Sequence, residues 1–83
     1  VTALQALALL NNKLVLSMSG HMARRVSAAS RDEREQVVMA FQLAIGRTPS
    51  TEESNALQNY ARTHGLAQTC RVIFNLNEFA FVD

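Results

Sequence analysis

Two tetrapeptides, SRDE at 30–33 and STEE at 50–53, each set a serine three residues ahead of a glutamate. That spacing is the capping box, in which the hydroxyl and the carboxylate each satisfy a backbone N–H that the first turn of a helix leaves unpaired. Asp32 adds negative charge where the helix dipole favours it. Gly46 falls between the boxes as a left-handed C′ residue with Arg47 just outside it, and Pro49 discourages continuation across the gap. The chain is thereby cut into short helices.

Apolar spacing fills the segments between these signals. Thr2 and Gln5 fit a further capping box ahead of a short helix with Leu4, Leu7 and Ala8 on one face, which Asn11 and Asn12 interrupt. A second helix is expected from Lys13 to about Ala28, with Val15, Met18, Met22, Val26 and Ala29 on one stripe. Gly20 inside it marks either a close helix crossing or a loose surface position. The third helix turns Val37, Val38, Phe41, Ala44 and Ile45 inward, and the fourth presents Leu57, Tyr60 and Ala61 before ending at His64 and Gly65. The last starts near Leu66 and aligns it with Cys70, Ile73 and Phe74.

Three of the four phenylalanines, Phe74, Phe79 and Phe81, crowd the closing FNLNEFAFVD. Rings left in water forgo roughly 2 kcal/mol or more each, so this tail is expected to dock as a helical turn or a strap. The expected fold is all-α: a compact bundle of about five short helices with a docked aromatic C-terminal turn or strap. Residues 1–83 read as a single helical module, because the length supports one core and no long linker divides it. The chain begins without methionine and carries useful apolar pattern to both edges, so it is read as an excised segment of a larger protein.

Eight basic and seven acidic residues leave a formal charge of +1, which argues against a strong nucleic-acid binder. Such binding would need Arg24, Arg25, Arg31 and Arg34 on one face, and Asp32, Glu33 and Glu35 interleave with them. No apolar run spans a membrane, and the lone Cys70 excludes an internal disulfide. His21, His64 and Cys70 have no recognised metal-ligand spacing. Cys70 lies on an apolar stripe and reads as a core thiol, His64 as a helix-end residue, and Met18, Met22 and Met39 as core filler. The adjacent Glu52 and Glu53 point about 100° apart on a helix, a poor arrangement for paired acid and base work. No catalytic, cofactor-binding or metal residue is assigned. Arg47 has two readings, simple exposure or a structural latch of Arg47, Glu78, Phe79 and Phe81 on the tail. His21, Arg47, Asn77 and Glu78 are the polar cluster to inspect for a site.

Three stretches in order, TALQALALLNNKLVLSMSGHMARR, AFQLAIGRTPSTEE and IFNLNEFAFVD, resemble the C-terminal part of large bacterial proteins carrying the domain of unknown function 1553, a planctomycete-type family often encoded with cytochrome-c-like haem domains. Thr2, Gln5, Ala6, Leu7 and Asn11 match its opening, and Gly46, Arg47, Pro49, Glu52 and Glu53 match its central turn. Asn75, Asn77, Glu78 and Phe79 match its close; Asn12 and Lys13 depart from its usual Asp-Pro-like helix opening. The resemblance implies an exported or periplasmic parent, with haem only in separate domains. The Cys-x-x-Cys-His attachment motif is missing here.

The leading functional expectation is a non-catalytic structural or protein-interaction module that caps its parent protein, with Leu4, Leu7, Leu10, Leu14, Phe79 and Phe81 in the core or the docking surface. It predicts an exposed apolar patch near the chain ends. The alternative is an accessory part of an exported enzyme or redox assembly acting on a polysaccharide or related substrate, which requires polar groups converging in a cleft.

Overall fold

A computed structural model describes the backbone of residues 13–82 and the side chains of residues 13–76. Four helices account for nearly all of that span: α1 Lys13–Ala29, α2 Glu33–Ile45, α3 Thr51–His64 and α4 Leu66–Val82. Among the described residues there is no strand, which fits the all-α expectation. The expected helix over 2–10, with Leu4, Leu7 and Leu10, lies outside the described residues.

The junctions explain the lengths. Ser50 caps α3 as its spacing predicts: its hydroxyl accepts from Glu53 N at 3.1 Å, and Ser50 N donates to Glu53 Oε1 at 2.9 Å. The box expected from Ser30 and Glu33 does not form. Asp32 is the N-cap of α2, accepting from Arg34 N at 3.1 Å. Ser30 instead extends the end of α1 through a bond from its N–H to Val26 O, while its hydroxyl accepts from Asp32 N and donates to Glu35 Oε2. Aspartate competes well with serine for the cap. Choosing it moves the helix start two residues downstream.

Gly46 ends α2 in the left-handed region, φ 87° and ψ 12°. Gly65 does two jobs between α3 and α4. Its N–H donates to Ala61 O at 2.8 Å, and its carbonyl accepts from both Thr69 N at 3.2 Å and Thr69 Oγ1 at 2.9 Å. One residue therefore closes α3 and caps α4. The last helix then continues through Asn75 and Asn77 to Val82, so the backbone of the tail is helical and no separate strap forms. Once the first turns are fixed, each added residue gains a backbone hydrogen bond, and this outweighs the modest helix propensity of asparagine.

α4 is the helix on which the others are organised. It packs against α1, α2 and α3, whereas α1 and α3 do not touch one another among the described residues. The shared core takes Val26 from α1, Val37, Ala40 and Phe41 from α2, Leu57 and Ala61 from α3, and Cys70 and Ile73 from α4. The expected stripes hold at their centres: Val26, Val37, Phe41, Leu57, Ala61, Cys70 and Ile73 are buried, while Val38, Ala44, Ile45, Tyr60, Leu66 and Phe74 are half-buried at the edges. Ala40 and Thr69 are fully buried, although neither carries a strong apolar signal.

The α1 stripe is corrected at two positions. Val15 and Val26 are buried, but Ala29 is exposed and Met18 keeps 36% of its surface. Among the described residues Gly20 marks no close crossing: a Cβ built there would approach Arg24 Nη1 at 3.5 Å. Since that is ordinary contact, Gly20→Ala should raise stability by about 0.5–1 kcal/mol through helix propensity and a less free unfolded chain. Urea unfolding reads this directly, and a loss of stability would show that the glycine is needed for packing.

Candidate docking surface

Two grooves stand out among the described residues. The first, of about 580 Å³, lies between α2 and the start of α3 and is bordered by Arg34, Met39, Gln42, Thr48, Pro49 and Ser54, with Asp32 and Glu35 on its edge. Its polar groups are largely spent on the turn itself. Gln42 Nε2 donates to Thr48 Oγ1 at 3.1 Å, and the Ser50 and Glu53 groups close the capping box.

Arg47 belongs to the same turn. Its Nη1 and Nη2 donate to Glu53 Oε1 and Oε2 at 2.9 and 2.8 Å, a two-point fork, and its guanidinium carbon stands 4.9 Å from the centre of the Phe41 ring. Bidentate geometry and a ring face are what arginine offers and lysine does not. The bonds from Arg47, with those from Ser50, hold the Glu53 carboxyl down at about 2, and they push the Arg47 guanidinium upward. The sign of the pH effect follows. Above the ordinary glutamate value of 4.5 the contribution to folding is complete, and it drains away as pH falls toward about 2. Glu53→Gln should therefore flatten the acid limb of stability between those two values, as read by urea midpoints. Parallel limbs for the variant and the parent sequence would contradict the pairing.

The second groove, of about 340 Å³, lies between α1 and α4 and is walled by Met18, Met22 and Phe74, with His21 and Arg25 at its edge. Helical spacing puts Met18, His21, Met22 and Arg25 on one side of α1. Thioether chains and a ring make an adaptable apolar wall that accepts varied side chains. On the same two helices, Leu14 of α1 is 55% exposed and Leu76 of α4 is 43% exposed. Leu16 is likewise exposed on α1, and Leu43 is exposed on α2.

Most of the acidic residues lie on two neighbouring helices. Asp32, Glu33, Glu35, Glu52 and Glu53 all belong to α2, α3 or their caps, where Glu53 meets Arg47 and Glu33 meets Arg62 at 3.5 Å. The sequence of α1 contains no aspartate or glutamate and carries Lys13, Arg24 and Arg25, while that of α4 carries Arg71 and Glu78. Arg24 Nη2 donates to His21 Nδ1 at 3.0 Å. Arg25 is exposed and has no hydrogen-bond or ion-pair partner among the described residues.

The residues singled out in the sequence are accordingly spread out. His21 borders the α1–α4 groove, while Arg47 is committed to Glu53 and Phe41. The side chains of Asn77, Glu78, Phe79 and Phe81 lie outside the described residues, and with them the tail half of the latch and of the polar cluster. His64 stacks on Tyr60 with ring centroids 4.3 Å apart. Cys70 is buried, and loss of water pushes its thiol up to about 11, so it carries little thiolate at neutral pH. Among the described residues no three His, Cys, Asp or Glu side chains gather as metal ligands would, and no helix is long and apolar enough to cross a membrane. Arg25 and Arg34 border different grooves, the second beside carboxylates, so the basic cluster of the sequence does not form a single phosphate-facing groove.

The sequence model of PSD1, Protein of unknown function (DUF1553), matches residues 1–61. The chain belongs to this family. The matched span takes in α1, α2 and α3 as far as Ala61 and ends before α4. No curated protein and no solved structure matches the chain. Family membership accounts for the ordered stretches at 2–25 and 40–53, and it brings with it no described activity.

Proposed function

We propose that this member of the PSD1 family is a non-catalytic structural and interaction module, which uses the α1–α4 groove to dock on the remainder of a larger parent protein. The observation that carries this reading is the groove of Met18, Met22 and Phe74, with Leu14 and Leu76 exposed on the same two helices. An apolar surface of that kind lowers its free energy when it is covered by a complementary face. Among the described residues, Asp32, Arg47, Ser50 and Glu53 are engaged in caps and an ion pair of the fold itself. On this reading any haem of the parent resides in its separate domains.

The test uses the remaining polypeptide of the parent, expressed without this segment, and the 83-residue chain added to it. The two should co-purify, and Met18→Glu in the chain should abolish the association while leaving its thermal unfolding nearly unchanged, since Met18 is partly exposed. Equal recovery of the variant would remove the groove from the interface.

A further inference from the structure

We draw no further inference here: the strongest candidate, the groove of about 580 Å³ between α2 and the start of α3, sets Arg34 beside Asp32 and Glu35 on its edge, and nothing in the structure shows what covers it.

Discussion

Phe41→Ala will cost about 3–5 kcal/mol of stability, the range for a fully buried aromatic truncated to a methyl group. Phe41 is 0% exposed and sits in the cluster that all four described helices share. Its loss opens a cavity among Val26, Val37, Leu57, Cys70 and Ile73, and it also removes the ring beneath the Arg47 guanidinium. Folded domains of this size hold roughly 4–12 kcal/mol in all, at about 0.05–0.15 kcal/mol per residue. The variant should be close to unfolding at room temperature and should lose cooperativity on heating. Urea denaturation measures the effect, and a loss below about 1 kcal/mol would place the ring outside the working core.

Gly65→Ala will cost about 1–3 kcal/mol for a different reason. Gly65 holds φ 90° and ψ 164°, a combination essentially reserved for glycine, and no described residue lies within 4 Å of where a Cβ would be. The penalty is therefore backbone strain without any clash. Gly46 provides the control. It too has open space, but at φ 87° and ψ 12° it is in the left-handed helical region that asparagine tolerates. Asparagine should cost well under the alanine penalty at position 46 and give no such relief at position 65. Equal penalties for alanine and asparagine at both positions would contradict the distinction between the two turns.

Much of this fold was legible in the residues, and what was missed has local causes. The Ser50 and Glu53 box, the stop at Gly46, the end at His64 and Gly65, and the start of the last helix at Leu66 stand where their signals put them. These are short-range effects, decided within one turn of chain. The misplaced box at Ser30 arose because Asp32 offered a second cap two residues on, and sequence spacing cannot weigh two good acceptors against each other. The partner of Arg47 was also local. Glu53, six residues on, is both capping-box residue and ion-pair acceptor, and the Gly46 turn brings the two together. Of the two readings of the tail, helical turn or strap, the backbone takes the helical one, because asparagine propensity at Asn75 and Asn77 is a weak prior that continuous helix overrides.

The candidate surface was only half visible. An exposed apolar patch near the ends was expected, and Leu14 is part of the exposed set. Met18 and Met22 read as core filler, since helical spacing does not say which side of a stripe lies beside a neighbouring helix and which stays at the edge.

The chain contains three methionines, and two of them, Met18 and Met22, line the α1–α4 groove while Met39 borders the other. Methyl-labelled methionine in the 83-residue chain, titrated with the remainder of its parent, therefore reports the docking face in one NMR spectrum. The account predicts that the Met18 and Met22 methyl signals shift or broaden while Met39 stays in place. A shift confined to Met39, or three unmoved signals in the presence of bound partner, would contradict it.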